Sequence, residues 1–523
     1  MKSVLLIRAI FCFLIAIVVA SPSFAQEDQN ERRPNVLFIA IDDLNDWIGC
    51  MGGHPQAVTP HMDALANRGT LFTNAHCQGP ICGPSRASLL SGRYPHTTGV
   101  YQQPKGKNLE QDQEFFAGQL MPEYFASHGY ETLACGKITH GYSPKTAFSK
   151  FGGTFGGFGP KPAQRIHYHL PDVPWSGTQT DWGRFPDVDE KMPDHQTADW
   201  AVQQLQASHE DPFFLAVGFV RPHVPFYVPG PWFETFDLST LHLPDVGRDD
   251  LSDVPAVGRA MHAMPKYPDL EFLQAHNNEQ FRLAVQAYLA CIRFVDHQVG
   301  RIITALDASE HSENTIIVLF SDHGYHLGEK DRVSKHSLWE ESTHVPLMII
   351  EPRIVSAQSS VSAQSSASAQ SSASGLQAKA VIQKSPQTCR RPVGLIDLYP
   401  TLLEMCGLPP RDANEGQSLV GLMEDPEADG REAILTTYAR NNHSLRSERY
   451  RFIRYEDGSE ELYDHQNDPH EFTNLASDPR FEETLTEMRK WLPTRSAPYH
   501  SATSKQAVNP WFAEHLRKNG VTE

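Results

Sequence analysis

Two short runs far apart in the chain combine carboxylates with an imidazole in a way that suits a hard cation. Asp42-Asp43 follows the apolar run Asn35–Ile41, and Asp322-His323 follows a second such run, Thr315–Phe320. Three carboxylates and one imidazole delivered from two strand ends suit Ca²⁺, while the imidazole leaves zinc or manganese open. Between the two runs lies Cys82-Gly83-Pro84-Ser85-Arg86, continued by Ala87 and closing on Gly92-Arg93. The segment from Pro84 reads as a helix start, which sets the Cys82 side chain where unpaired backbone N–H groups favour an anion. Taken singly, Cys82 reads as a buried thiol and Asp42-Asp43 as a turn; their combination points to a site.

These residues need elements to hold them. Asn35–Ile41 is apolar throughout, the pattern of a strand buried on both faces, and Phe213–Phe219, Thr315–Phe320 and Val345–Ile350 read the same way. Thr59 and Pro60 suit an N-cap and first helical turn, followed by Met62, Leu65 and Ala66, with Gly69 as the stop. Glu279 to about Leu306 carries Phe281, Val285, Leu289, Ile292, Val299 and Ile303 at helical spacing. Strands alternating with helices predict an α/β fold with a mainly parallel or mixed sheet, its ligand site beyond the carboxyl ends of the strands. A helix over Ile396–Met405 stops at Gly407-Leu-Pro-Pro410. From about residue 430 the composition turns charged and aromatic, predicting a smaller second domain. There Tyr450–Tyr455, Asp457-Gly458 and Glu461–Tyr463 read as a β-hairpin.

The 523 residues exceed one ordinary domain. A formal charge of −18 argues against nucleic-acid binding, which needs a basic face. Residues 1–25 carry Lys2 and Arg8, the apolar stretch Ala9–Ala20 and a small-residue end at Ser23-Phe24-Ala25, the pattern of a cleavable signal peptide. The mature chain is therefore expected to be exported, periplasmic or secreted, without stable membrane insertion. Seven cysteines remain after cleavage, an odd number, so at least one thiol is unpaired. Ser356–Ala373, within an insertion spanning 355–376, repeats Ser-Ala-Gln-Ser-Ser-Val/Ala and is too polar for a core; it reads as a disordered surface segment.

Cys82-Gly83-Pro84-Ser85-Arg86 with its downstream Gly92-Arg93 resembles the C-x-P-x-R signature of type I sulfatases, the formylglycine-dependent family. Arg221-Pro-His-Val-Pro-Phe226, Thr343-His-Val-Pro-Leu-Met348 and Asp43-Leu-Asn-Asp-Trp47 resemble its iduronate 2-sulfatase-like members, which share His323. The resemblance implies an alkaline-phosphatase-like sulfatase fold: a catalytic domain over 26–429 with a large mixed sheet sandwiched by helices, and an α+β domain over 430–523 with an antiparallel sheet. It implies that a separate formylglycine-generating enzyme oxidises Cys82, and that one Ca²⁺ is held by Asp42, Asp43, Cys82, Asp322 and His323. Arg86 would hold the hydrated formylglycine, Lys137 and Lys335 would neutralise sulfate oxygens, and His140 would take the proton whose loss releases sulfate. His223 or Lys335 would protonate the departing sugar oxygen. Tyr325, His443 and Arg446 are the expected substrate-binding residues, with Arg451 beside them. The implied substrate is the 2-O-sulfate of a hexuronate in a sulfated oligo- or polysaccharide. A phosphodiesterase or phosphonate hydrolase of the same superfamily, and a non-catalytic glycan-binding protein, are the alternatives.

Overall fold

The computed structural model describes residues 33–104, 120–140, 146–169, 175, 179–247, 249–263, 267–352, 354–355, 381–382 and 385–501. The expected signal segment and the serine-rich repeats lie outside the described residues.

Eight strands form the main sheet: β1 (Asn35–Ile41), β2 (Thr70–Phe72), β3 (Glu131–Gly136), β4 (Lys150–Phe151), β5 (Phe213–Phe219), β6 (Thr315–Ser321), β7 (Leu347–Ile350) and β8 (Gln387–Cys389). Their order across the sheet is β8-β2-β7-β6-β1-β5-β3-β4. All pairs are parallel except the two made by β7, so the sheet is mixed, as the alternation of elements predicts. β1, β5 and β6 are buried at every position because both faces of the sheet are covered. Leu37, Ile39 and Ile41 of β1 point into one core with Leu215 and Leu319; Val36, Phe38 and Ala40 point into the other with Phe214 and Val318. That is the period-two alternation of a pleated strand. Full burial of such a side chain contributes roughly 1.5–3 kcal/mol, which explains why the strands are continuous apolar runs.

Helices fill each side. The first core receives α1 (Pro60–Ala66), α3 (Pro193–Leu205) and the long α4 (Leu270–Asp307); the second receives α2 (Cys82–Ser91) and α5 (Leu398–Met405). Within α4, Ala275 to Asn278 leave helical geometry, so the regular helix resumes at the Glu279 read from the apolar spacing. Thr59 does not cap α1 as expected. Its hydroxyl accepts from Gly49 N at 2.8 Å and donates to Asp63 Oδ1 at 3.1 Å, tying the preceding loop to the helix.

After residue 430 a four-stranded antiparallel sheet runs in chain order through β9 (Ala433–Thr437), β10 (His443–Ser447), β11 (Tyr450–Arg454) and β12 (Glu460–Asp464). One face packs Leu435, Leu445, Phe452 and Leu462 against Leu485 and Met488 of the last helix, Glu482–Arg489. The other carries Ile453 and Tyr463 into a cluster with Trp339 and with Ile81, the residue before Cys82. The described residues, from Arg33 on, belong to one compact unit. All seven cysteines from Cys50 to Cys406 are free thiols, so the odd count leaves no residual pairing problem.

Candidate active site

Four neighbouring strands, in the order β6-β1-β5-β3, end level with one another. Ile41 is in register with Phe219 and Ser321, and Gly136 with Gly218. The residues that follow these ends converge: Asp42 and Asp43 from β1, Asp322 and His323 from β6, Lys137 and His140 from β3, and His223 from β5, while Arg221 donates to the carbonyls of Tyr227, His223 and Phe158. Gly136 has φ +72, and a Cβ there would stand 2.0 Å from Gly218 O. Its absence lets Lys137 N donate to Gly218 O at 2.8 Å, turning the Lys137 side chain over the strand ends.

Cys82 opens α2, two residues before the Pro84 start expected from the sequence, because the helix ladder already begins with Ser85 N donating to Ile81 O at 3.1 Å. The whole ten-residue helix is buried, and its positive end faces the site. Around the Cys82 sulfur stand His323 Nε2 at 3.3 Å, Lys335 Nζ at 3.4 Å and Lys137 Nζ at 3.5 Å, with the His140 ring hydrogen-bonded to it as well. Burial alone would raise the thiol; Lys137, Lys335 and His323 outweigh it and hold the group well below its ordinary range. The pocket at position 82 therefore favours an anion.

The carboxylates interleave with these cations. Lys335 Nζ donates to Asp43 Oδ1 at 2.5 Å, and Lys137 pairs with Asp42. Burial would raise Asp42, but Lys137, His223 and Arg86 together hold it low. Arg86, 2% exposed, donates from Nε to Asp322 Oδ2 at 2.7 Å, from Nη1 to the carbonyls of Lys137 and Ile138, and lies 3.4 Å from Asp42 Oδ1. It thus locks the ends of β1, β3 and β6 to the helix that carries Cys82.

A divalent cation fits this donor set. Asp42, Asp43, His323 and Cys82 each offer a buried ligand atom, all within 4.8 Å of one another. Asp43 Oδ2 is buried with no hydrogen-bond partner among the described residues. His323 Nδ1 donates to Gly324 O at 2.9 Å, which turns Nε2 toward Asp43 Oδ1 at 3.3 Å; burial would lower the ring, but Asp322, Cys82 and Asp43 raise it to about 9, so it is an imidazolium whose Nε2 proton a bound cation would replace. Asp43 sits at φ +63, a left-handed position that bends its carboxylate back into the cluster. Asp322, expected as a ligand, lies beside the set: Oδ2 serves Arg86 and Oδ1 accepts from Asp43 N at 3.2 Å.

His223 stands at the edge. Nδ1 donates to Val224 O at 2.6 Å, and Nε2 lies 4.0 Å from Asp43 Oδ2. Among the described residues His140 has a buried Nδ1 without a partner, and burial lowers its pKa against the pull of Cys82, so its ring is neutral and able to accept a proton. Two participants were not evident in the sequence. Phe158 packs against His223 with ring centroids 4.6 Å apart and tilted at 46°, and its ring centroid lies 5.0 Å from Lys137 Nζ. Gln103 Oε1 accepts from Gly83 N at 2.9 Å. Neither sits in a motif, and a loop phenylalanine or glutamine gives no periodic signal. A cavity of about 360 Å³ adjoins Lys137 and His140, with Phe148, Phe151 and Phe158 in its wall.

The three residues expected to bind substrate are occupied elsewhere. Tyr325 is wholly buried between Phe226 and Tyr288 beneath the site, because its ring completes the first core. His443 is buried against His96 and Thr437 Oγ1, and burial lowers it to about 3. Arg446 donates from Nε to Glu340 Oε2 at 3.1 Å, and Arg451 pairs with Glu340 and Glu471; these arginines neutralise buried carboxylates.

The family model described as Sulfatase matches residues 34–408, and that described as N-sulphoglucosamine sulphohydrolase, C-terminal, matches residues 379–497. A protein of Formosa agariphila named Sulfatase is 38% identical over 504 residues, covering 95% of this chain and 93% of the relative. Iduronate 2-sulfatase of Homo sapiens is 29% identical over 482 residues, 82% of each chain. A solved structure described as a 2-O GAG sulfatase matches with a TM-score of 0.63 at 23% identity, over 88% of this chain and 91% of that one.

Proposed function

The chain belongs to the sulfatase family and is a sulfuric ester hydrolase, and on that premise we propose that it removes the 2-O-sulfate of a hexuronate in a sulfated saccharide. The observation that carries this reading is the convergence of Lys137, Lys335, His140 and His323 on the side chain of residue 82 at the head of a buried helix. Similarity to an iduronate 2-sulfatase across four fifths of the chain supports the sugar class.

In this reading the sulfur of Cys82 stands where oxygen stands after conversion by a formylglycine-generating enzyme. The hydrated formylglycine supplies two geminal hydroxyls, one to attack sulfur and one whose deprotonation expels sulfate. Calcium, held by Asp42, Asp43, His323 and residue 82 with Asp322 alongside, supplies positive charge for sulfate oxygens. Lys137 and Lys335 add two fixed ammonium groups, set by their pairs with Asp42 and Asp43, toward the side on which charge grows. His140, neutral and facing residue 82, accepts the proton that releases sulfate. Arg86 holds the helix head in register with the strand ends. Lys335 Nζ, 2.5 Å from Asp43 Oδ1, and His223 Nε2, 4.0 Å from Asp43 Oδ2, both stand beside Asp43, and either of them would protonate the departing oxygen. With Arg446 and Arg451 committed to Glu340 and Glu471, a substrate carboxylate has to find other partners. The aromatic-walled cavity beside Lys137 and His140 offers an apolar face for a sugar ring.

The amino-terminal sequence supports export, and no helix among the described residues is long and apolar enough to cross a membrane. The test is sulfate release from a disaccharide carrying only a 2-O-sulfated hexuronate, beside the same disaccharide sulfated only on its amino sugar. Preference for the first supports the reading. Turnover of the second alone removes the hexuronate, and hydrolysis of phosphate esters in place of both moves the chain toward the phosphoesterases.

A further inference from the structure

The turn between β9 and β10 carries an arginine without a counter-charge. Between Tyr438 and Asn442 the chain reverses with two non-glycine residues in the left-handed region, Ala439 at φ +56 and Asn441 at φ +62. Such backbone persists only where the surroundings over-determine it. Here they do: Tyr438 N donates to Asn442 O at 3.1 Å, Asn442 Nδ2 to Arg440 O at 2.8 Å, and Arg440 N to Tyr499 Oη at 3.2 Å. The backbone of Arg440 is thus fixed on both sides.

Its side chain is not. The half-buried guanidinium makes one hydrogen bond, from Nη2 to Ser496 O at 3.5 Å, the outer limit of such a contact, and no ion pair among the described residues. Nε is buried without a partner among them. Glu456 accepts at Oε1 from Asn441 Nδ2 at 3.2 Å and does not pair with Arg440. The buried arginines nearby differ, since Arg86, Arg446 and Arg451 each meet a carboxylate. A guanidinium with donors to spare on a fixed turn calls for an anion, and its planar fork matches a carboxylate.

The turn stands beside the head of α2. Ala439 shares a buried cluster with Ile81, the residue before Cys82. Tyr438 Oη lies 3.3 Å from His336 Nδ1, and His336 directly follows Lys335, whose Nζ is 3.4 Å from Cys82 Sγ. From the other side, Tyr499 packs its ring 5.2 Å from that of Tyr101, two residues before the Gln103 that accepts from Gly83 N. Arg440 therefore flanks the site at residue 82, next to the segments that carry Lys335 and Gln103.

We infer that Arg440 binds the carboxylate of the sugar whose sulfate faces residue 82, and so sets selectivity for an acidic sugar over a neutral one. The inference rests on the hexuronate reading above. It supplies the partner that Arg446 and Arg451, committed to Glu340 and Glu471, do not. With the turn already fixed, only the side chain has to be ordered on binding.

The test compares kcat/KM on a 2-O-sulfated hexuronate disaccharide and on its carboxyl-reduced counterpart, for the unmodified protein, Arg440→Lys and Arg440→Gln. The unmodified protein is expected to prefer the acid. Arg440→Gln is expected to lose about 10- to 100-fold of that preference, with Arg440→Lys keeping part of it. Melting curves show whether the variants fold. If Arg440→Gln does not, a crystal structure of the Cys82→Ala protein with the acidic disaccharide decides, its carboxylate expected on the Arg440 guanidinium. Equal losses on both sugars, a preference unchanged in Arg440→Gln, or a carboxylate bound elsewhere overturns the inference and leaves the hexuronate reading standing. An unmodified protein that turns over the neutral sugar as fast as the acid removes that reading, and the inference with it.

Discussion

Replacing Lys335 by methionine removes one positive charge while keeping most of the side-chain volume. Lys335 is 5% exposed, 2.5 Å from Asp43 Oδ1 and 3.4 Å from the atom at the head of α2. A unit charge at that separation with an effective dielectric of about 20 interacts by roughly 5 kcal/mol. Most of that acts on the sulfate ester and on the transition state alike and does not alter kcat. The part that grows with negative charge on the leaving oxygen does. Removal of one such donor from other enzymes costs about 10² to 10³ in kcat, and that is the loss expected here. Steady-state kinetics on an aryl sulfate and on a saccharide sulfate separate the roles. If Lys335 also protonates the leaving group, the saccharide, with its poorer leaving group, loses more than the aryl ester. Wild-type kcat within a factor of about three on both substrates refutes the assignment, whatever happens to KM.

Arg86→Ala leaves Asp322 and Asp42 buried without their guanidinium partner, so a loss of about 3–5 kcal/mol is expected, read as a lower melting temperature, with Arg86→Lys recovering only part of it. Chelation is expected to abolish activity and Ca²⁺ to restore it; Asp43→Asn should raise the calcium needed for half-activity by more than about tenfold, a shift of over 1.4 kcal/mol. Burial holds His443 at about 3 and His96 at about 4 in the folded chain, below the ordinary 6.5. The unfolded chain therefore binds more protons below pH 6.5, so the stability tied to these neutral rings is complete above that pH and is lost as pH falls toward 3. Melting curves from pH 7 to pH 4 should fall less steeply for His443→Gln than for the unmodified protein.

The fold was legible where one physical requirement dominated the local sequence. A central strand covered on both faces must be apolar throughout, so Asn35–Ile41 and Phe213–Phe219 declare themselves with their observed ends. The antiparallel pairing at Tyr450–Asp464 followed from its turn residues. Cys82, Asp42-Asp43 and Asp322-His323 were legible as a group because strand ends that carry acids are rarely meant for a core. Side-chain direction was not legible. Tyr325 follows His323 closely, yet its ring packs beneath the sheet ends against Phe226 and Tyr288 instead of entering the cleft. His443 and Arg446 sit on a strand whose two faces are both covered, which only the packing of the C-terminal sheet reveals.

The account rests on residue 82 being more than a buried thiol. Peptide mass spectrometry of the active protein from a host that carries the maturation enzyme tests this directly. The peptide spanning Cys82 should carry an aldehyde in place of the CH₂SH group, captured by a hydrazide reagent, with the converted fraction rising in proportion to specific activity across preparations. Full activity with residue 82 present only as an unmodified, alkylatable thiol contradicts the mechanism.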